Sequence, residues 1–202
     1  MFYDLYPEHS EITKQDYLTL DCNEFNQVYQ KIHVIGNPPF GRQSSLAIKF
    51  IKKSAKYCDS ISFILPKSFK KDSMKKHFPL HFHMILEEDV PKNSFMVDGS
   101  EHDVPCVFQI WEKRDVERFV PKPLVPTKFT FVKRDQKPDI SFRRVGVYAG
   151  NIDKHYSDKS IQSHYFIKFD DGVFTDELFD KLQRIVYKKS DATVGPKSIS
   201  KQ

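Results

Sequence analysis

The chain has 202 residues, of which 39% are hydrophobic, and its net charge of +5 divides into −4 for residues 1–41 and +9 for the remainder. The length supports one domain with a sizeable core plus an appendage, and no apolar run reaches about 18 residues, so neither a membrane-spanning helix nor a membrane partner is expected. The absence of an N-terminal signal pattern and of CxxC spacing predicts an intracellular protein, cytoplasmic or in the nucleoid or nucleus, with reduced thiols at Cys22, Cys58 and Cys106.

Two acidic residues follow short apolar stretches near the N-terminus. Residues 2–7 (FYDLYP) are typical of a short strand that ends near Asp4, and Asp16 opens the sequence DYL together with Tyr17 and Leu18. Taken singly, each acid is as consistent with a solvated strand end or a turn as with a binding site.

The tetrapeptide Asn37-Pro38-Pro39-Phe40 follows directly on an apolar run at residues 32–35. Each proline pushes the residue before it into an extended conformation, so the Asn37 side-chain oxygen and the Pro38 carbonyl should be two fixed hydrogen-bond acceptors. Such acceptors can hold the two N–H groups of an exocyclic amine, and Phe40 offers a face on which a flipped-out base can stack. The alternative is a Pro-Pro turn that ends a buried strand, with Phe40 in the core.

The elements that follow alternate between helix and strand. Apolar residues at helical spacing predict an amphipathic helix over residues 44–56. Three apolar runs rich in β-branched and aromatic residues predict strands over residues 60–65, 82–86 and 104–111.

The order of these elements, with an acid after one strand, an Asp after the next and Asn-Pro-Pro-Phe after a third, resembles the class I S-adenosylmethionine-dependent methyltransferases of the N6-adenine type. The resemblance implies an α/β fold with a Rossmann-like sheet in residues 1–115. It implies that S-adenosyl-L-methionine is the cofactor, with Asp4 on its ribose hydroxyls, Asp16 on its adenine amine, and Tyr17 or Leu18 as the apolar wall against the adenine ring. It also implies that the catalytic residues are Asn37, Pro38, Pro39 and Phe40.

One part of the family pattern is missing from this sequence. The family begins with a strand that runs into a Gly-rich donor-binding loop and lies between the second and fourth strands, whereas here Met1 almost directly precedes the counterpart of the second strand. Before Gly99 the only glycines are Gly36 and Gly41, and neither is in a suitable position. We therefore expect a partial methyltransferase sheet without its first strand, from a truncated product or one half of a split enzyme, with a second chain as the partner that supplies the strand and loop.

The C-terminal part of the chain has a different composition. Prolines among Lys, Arg and Asp predict a linker over residues 116–140. Strands over residues 141–149 and 163–169 and a helix over residues 175–187 then predict a small α+β unit, residues 141–202, which we interpret as a target-recognition unit.

Basic residues beside aromatic ones predict contact with nucleic acid, DNA more than RNA. The candidate residues are Arg42, Lys67, Lys70, Arg143, Arg144 and Lys197. The alternative is that these cations are solvated or protect edge strands from aggregation. No metal site is expected, because Pro79 interrupts the helical spacing of the histidines around it and neither a cysteine nor an acid completes the set.

The resemblance thus implies methylation of the N6 amine of adenine in DNA. Other substrates remain open: the exocyclic amine of guanine in RNA, adenosine N6 in RNA, and a glutamine side-chain amide. A different class also remains open, namely an inactive remnant or subunit that only binds nucleic acid.

Overall fold

The computed structural model describes residues 1–122, 124–189 and 198–201. These residues form two compact units, the N-terminal unit of residues 1–120 and the C-terminal unit of residues 121–202. The class is mixed α/β, with several sheets, many strands and few helices. Among the residues described, no helix is both long enough and apolar enough to cross a bilayer.

The N-terminal unit begins with a two-stranded parallel sheet. Strand β1 (Phe2–Asp4) pairs with β2 (Ile12–Lys14), and the register matches Phe2 with Ile12 and Asp4 with Lys14. A short helix, α1 (Phe25–Val28), follows this sheet.

The second sheet of this unit has four strands in the order β3-β4-β8-β5. Strand β3 (His33–Gly36) is parallel to β4 (Ser60–Pro66), whereas β8 (Cys106–Lys113) is antiparallel both to β4 and to β5 (Phe82–Asp89). The strands predicted over residues 60–65, 82–86 and 104–111 are confirmed, with ends that shift by up to three residues.

Short elements connect the strands of this sheet. Helix α2 (Ser45–Ser54) confirms the predicted amphipathic helix, and α3 (Asp72–Lys75) follows β4. An antiparallel hairpin of β6 (Phe95–Val97) and β7 (Ser100–His102) leads into β8.

The core of the N-terminal unit lies between α2 and the four-stranded sheet. Helix α2 contributes Ala47 and Ile51, which are fully buried with Phe63 of β4. Trp111 of β8 stacks on Phe78, with ring centroids 4.1 Å apart and planes 10° from parallel. Aromatic pairs in this geometry add to the stabilisation that burial alone provides.

A buried polar network crosses this core. The side chain of Gln109 is fully buried; its amide nitrogen donates to the Phe69 carbonyl at 3.2 Å and to Glu87 Oε2 at 2.7 Å, and its oxygen accepts from Trp111 Nε1 at 3.0 Å. Both N–H groups of the amide and one of the two lone pairs of its oxygen are thereby used, so burial leaves little hydrogen-bonding capacity unmet.

The C-terminal unit is a four-stranded antiparallel sheet in the order β11-β10-β12-β9. Its strands are β9 (Phe129–Val132), β10 (Ile140–Arg143), β11 (Ile152–Asp153) and β12 (His164–Phe169). Helix α4 (Asp176–Arg184) begins after Thr175, whose hydroxyl accepts from the Leu178 N–H at 3.1 Å. Buried side chains of the sheet pack with partly buried side chains from α4 and the residues before it, among them Phe174 and Phe179.

The structure divides the chain differently from the sequence prediction. Arg118 belongs to the N-terminal unit, because its guanidinium donates to four backbone carbonyls there and lies 5.2 Å from the Trp111 ring. Strand β9 belongs to the C-terminal unit, where it pairs with β12. The segment predicted as a linker, residues 116–140, therefore contains parts of both units.

Two predicted elements of the C-terminal unit are shorter than expected. Strand β10 ends at Arg143, because a turn follows in which the Ala149 N–H donates to the carbonyl of Gly146, a glycine with φ of +87°. Helix α4 ends at Arg184, because Ile185 is extended.

Candidate functional site

The tetrapeptide Asn37-Pro38-Pro39-Phe40 lies at the carboxyl end of the parallel strand β3. Asn37 is exposed, Pro38 is buried and Phe40 is half-buried. The Phe40 carbonyl accepts hydrogen bonds from the N–H groups of Leu46 at 3.1 Å and Ala47 at 3.4 Å, in the first turn of α2. The tetrapeptide is thus held by β3 on one side and by α2 on the other.

A tight turn of residues 41–44 joins the tetrapeptide to α2. Gly41 has φ of +68°, Gln43 of +53° and Ser44 of +62°. A side chain at Gly41 would place its Cβ 2.8 Å from Leu46 Cγ and 3.0 Å from Leu46 N, so only glycine fits there. Left-handed conformations at non-glycine residues cost free energy and concentrate at functional sites. This turn is not among the predicted elements, and the glycine directly after Phe40 is the one signal in the sequence that indicates it.

Both proposed acceptors of the tetrapeptide are free within the described part of the chain. No described residue forms a hydrogen bond with the Asn37 side chain, and no donor reaches the Pro38 carbonyl. An exposed amide oxygen and a carbonyl one residue later can accept from two N–H groups of one amine.

The two candidate cofactor-binding acids, Asp4 and Asp16, lie at the carboxyl ends of β1 and β2, which meet at the same end of the sheet because the strands are parallel. The Gln15 N–H, just before Asp16, donates to the Asp4 carbonyl at 2.9 Å. One oxygen of each carboxylate holds its own loop: Asp4 Oδ1 accepts from Tyr6 N and Asp16 Oδ1 accepts from Leu18 N, each at 2.8 Å. The second oxygens have no partner among the residues described.

Tyr17 is occupied by contacts with α2 and with Tyr57, three residues after the end of that helix. Its hydroxyl lies 2.6 Å from both Ser54 Oγ and Tyr57 Oη, and its ring stacks on Phe50 with centroids 4.8 Å apart. Burial raises the pKa of Tyr17 and of Tyr57, so both phenols stay protonated. The contacts with Ser54 and Tyr57 lie at the opposite end of α2 from Leu46, at an axial distance of about 12 Å.

Leu18, in contrast, is half-buried beside a cleft. It lines a cleft of about 620 Å³ on the lysine-rich side of α2. Lys53 Nζ donates to the Leu18 carbonyl at 3.1 Å and also to the Leu20 carbonyl, which fixes the loop. Of the two residues that the sequence offers as an apolar wall, Leu18 is the one that borders a cavity.

Lys67 and Lys70 follow the carboxyl end of β4, the strand parallel to β3. Both form ion pairs with Asp89, with N–O distances of 3.7 and 2.9 Å. The hydrogen bond from Lys70 and the charges of both lysines lower the pKa of Asp89. Part of the positive charge predicted for this rim is therefore neutralised within the protein, whereas Arg42 is exposed.

The remaining cations predicted to bind nucleic acid belong to the C-terminal unit. Arg143 lies over the Tyr148 ring at 5.8 Å and Arg144 over the Tyr165 ring at 5.3 Å, which confirms that cations and aromatic rings are close together there. Lys197 lies outside the described residues.

The side chains of His81 and His83 contact backbone carbonyls, and those of the three cysteines are buried within the protein. His81 Nδ1 lies 3.2 Å from the Arg114 carbonyl, and His83 Nε2 lies 2.8 Å from the Val116 carbonyl. In the described ranges no group of three His, Cys, Asp or Glu residues could hold a metal ion. The three cysteines are free and buried, and burial raises the pKa of Cys58 to about 12 and that of Cys106 to about 11.

Comparisons of the chain with known protein families, with characterised proteins and with solved structures found no match. A functional assignment therefore depends on the residues of the site and on the order of the elements that position them.

Proposed function

We propose that this chain is a methyltransferase that uses S-adenosyl-L-methionine to methylate the N6 amine of adenine in DNA. The observation that carries the proposal is the position of Asn37. It directly follows a parallel strand, its side chain is exposed and free, and the next residue, Pro38, is buried. In open α/β sheets, ligands bind at the carboxyl ends of the strands.

The chemistry requires that the lone pair of a conjugated, weakly nucleophilic amine be made available. The Asn37 side-chain oxygen accepts one N–H of the amine and the Pro38 carbonyl accepts the other, which draws the amine out of conjugation with the ring. The Phe40 ring stacks on the base, a contact worth about 1–3 kcal/mol. Because Pro38 is buried and the Phe40 carbonyl bonds to α2, these acceptors are oriented before the base arrives.

The described residues fit the adenosine half of the cofactor. The free oxygens of Asp4 and Asp16 are suited to ribose hydroxyls and to the adenine amine respectively, and Leu18 provides an apolar surface. When bound, S-adenosylmethionine supplies an electrophilic methyl group to the oriented amine. We find no counterpart of the family's Gly-rich loop among residues 1–122, which contain only Gly36, Gly41 and Gly99.

The arrangement of strands supports the proposal. In the family the first strand lies between the second and the fourth, whose counterparts here are β1 and β3, and these two strands belong to separate sheets. The pairing of β5 with β8 corresponds to the antiparallel hairpin that ends the family's sheet.

We further propose that a strand from a second chain pairs with β1 and β3 and carries the missing loop. Each of these strands has one edge without a pairing partner in the described structure, and apolar side chains beside these edges are exposed: 66% of Phe2 and 77% of Ile35. Unpaired strand edges readily accept a further strand.

The first experiment is a calorimetric titration of S-adenosylmethionine into the folded chain. Tight one-to-one binding would contradict the need for a second chain, and transfer of a labelled methyl group to adenine-containing DNA and RNA could then be measured directly. We expect Asn37→Ala to lower the transfer rate by about 10²-fold or more, as for other preorganised hydrogen-bonding groups. Asn151→Ala, an exposed asparagine of the C-terminal unit, is the matched control.

If the chain alone does not bind the cofactor, the target site can still be tested with DNA that contains 2-aminopurine. Extrusion of this base raises its fluorescence, and we expect Asn37→Ala and Phe40→Ala to reduce the rise while DNA affinity changes little. DNA binding with no extrusion that depends on these two residues would favour the second candidate, a chain that only binds nucleic acid. The observation in favour of that candidate is that residues 1–122, with only three glycines, contain no counterpart of the Gly-rich donor loop.

A further inference from the structure

The C-terminal unit contains a cleft of about 640 Å³ at the side of its sheet where β9 and the start of β12 lie. It is lined by Phe131 of β9, by the turn that follows this strand, by Arg144 after β10, by Tyr165 of β12 and by Lys201. This volume is within the usual range of ligand-binding clefts, about 300–1,000 Å³.

Positive charge predominates in this cleft. Its permanent cations are Lys133, Arg134, Arg144 and Lys201, against a single carboxylate, Asp135. None of the four cations forms an ion pair with a carboxylate in the part of the chain that the structure describes. The cleft therefore carries an uncompensated positive charge.

The histidine of the cleft adds a polar group without adding charge. Burial lowers the pKa of His164, and the nearby cations Arg143 and Lys159 lower it further. At neutral pH the imidazole is uncharged, so the permanent cations alone determine the attraction for an anion.

Aromatic rings and backbone contacts hold two of the cations in position. Lys201 Nζ lies 4.3 Å from the centroid of the Phe131 ring and 5.3 Å from that of Tyr165, and the Arg144 guanidinium lies 5.3 Å from the Tyr165 ring. The Arg144 side chain also donates to the Gln162 carbonyl through Nε and Nη2, at 3.2 and 3.0 Å. Within the described ranges no hydrogen bond engages its Nη1, which leaves this group for a ligand.

The segment that carries Lys201 is fixed to the same strands. The Ile199 N–H donates to the Arg144 carbonyl at 2.8 Å, and the Tyr165 hydroxyl donates to the Ile199 carbonyl at 3.3 Å. Val145 and Ser198 form an isolated antiparallel bridge. The backbone two residues before Lys201 is thus fixed, so that Lys201 lines the same cleft as the exposed residues Lys133 and Arg134.

We infer that this cleft binds the phosphodiester backbone of a nucleic-acid strand. Several fixed cations beside aromatic side chains are typical of surfaces that follow a phosphate backbone. Residues 121–202 contain 16 Lys and Arg against 10 Asp and Glu, so the charge of the whole unit favours the same polyanion. The inference rests on the proposed function only in its choice of nucleic acid as the ligand, and it assigns Lys133, Arg134 and Lys201 to that role beside Arg144.

The test measures the affinity of the full chain for a fluorescent oligonucleotide, single-stranded and duplex, between about 50 and 200 mM salt. Lys201→Glu should weaken binding about tenfold and reduce the slope of log affinity against log salt by about 1, because one phosphate contact is lost. Lys133→Glu should act in the same direction. Lys188→Glu is the matched control: it makes the same change of charge at an exposed residue outside the cleft, and its effect should be less than about twofold.

Three outcomes would overturn the inference. The first is an equal loss for Lys201→Glu and Lys188→Glu, which would show a general effect of net charge. The second is displacement of the oligonucleotide by inorganic phosphate at an equal phosphate concentration, which would indicate a site for a single small anion. The third is equal competition by polyglutamate, which would indicate an acidic protein as the ligand.

The same assays separate this inference from the proposed function. If the chain binds DNA through the cleft but shows neither methyl transfer nor base extrusion that depends on Asn37, the cleft inference stands and the methyltransferase proposal fails. If methyl transfer depends on Asn37 and not on Lys201, the methyltransferase proposal stands and the cleft inference fails.

Discussion

The two units of this chain have the same number of lysines and arginines but differ in their number of acids and in core packing. Residues 1–120 contain 16 Lys and Arg against 17 Asp and Glu, whereas residues 121–202 contain 16 against 10. The N-terminal unit fully buries large aromatic side chains such as Trp111, Phe63 and Phe78, while in the C-terminal unit Phe142 remains 7% exposed. A dense core would support the target site proposed at Asn37, whereas the proposed attraction of the C-terminal unit to a polyanion needs charge and tolerates a looser frame.

The variant expected to change stability most is one that removes an aromatic ring from the dense core of the N-terminal unit. Phe78→Ala should lower the free energy of unfolding of the N-terminal unit by about 3–5 kcal/mol, because it leaves a cavity against Trp111. Trp111 is the only tryptophan, so its fluorescence during denaturant unfolding reports on this unit alone.

A matched control is Phe119→Ala in the same unit, where the ring is 86% exposed. We expect a change of less than about 0.5 kcal/mol for this variant. Equal losses for the two variants would contradict the dense packing of the N-terminal core around Phe78, which is one side of the comparison.

A smaller effect should follow from replacing Gly41. Gly41→Ala should lower the stability of the N-terminal unit by about 1–3 kcal/mol, because it combines a left-handed φ with a clash against Leu46. Gly99→Ala is the control, since Gly99 has φ of +75° and nothing within 4 Å of the added Cβ. The difference between the two midpoints in thermal or denaturant unfolding measures the clash, and no difference would mean that the turn is free to adjust.

The smallest effect concerns the ion pairs of Lys67 and Lys70 with Asp89. The pKa of Asp89 is lowered in the folded state, so these pairs stabilise the protein above the ordinary pKa of 3.8, and the stabilisation is lost as the pH falls through the lowered value. Asp89→Asn should therefore cost less than about 1 kcal/mol near neutral pH and nothing in strong acid, because exposed pairs contribute little.

The measurement for this prediction is the denaturation midpoint as a function of pH. Asp115→Asn, an exposed acid of the same unit, is the control and should show no such dependence. A constant difference between wild type and Asp89→Asn at all pH values would contradict the electrostatic explanation.

Most elements with a strong local pattern could be predicted from the sequence. Helix α2, strand β4 and the N-cap at Thr175 follow from periodicity and capping, which are properties of neighbouring residues. Strand β9 was missed because prolines and lysines precede it and its partner, β12, is more than 30 residues away. The β6–β7 hairpin was also missed, although Asp98-Gly99 is a recognised hairpin signal.

The candidate site could be predicted only in part, for a similar reason. The tetrapeptide is contiguous, so its position after β3 could be read from the sequence. The pairing of Lys67 and Lys70 with Asp89, and the attachment of Tyr17 to α2, depend on residues far away in the chain. A charged or aromatic residue has the same appearance in a sequence whether it is free to bind a ligand or already satisfied within the fold.

The buried amide of Gln109 has a consequence for how the N-terminal unit assembles. Because successive residues of a strand face opposite sides, a shift of β8 by one residue against β5 would separate Gln109 from Glu87 and leave a polar group unsatisfied in the interior. Gln109 thus acts as a register marker that favours the observed pairing of β8 with the edge strand β5.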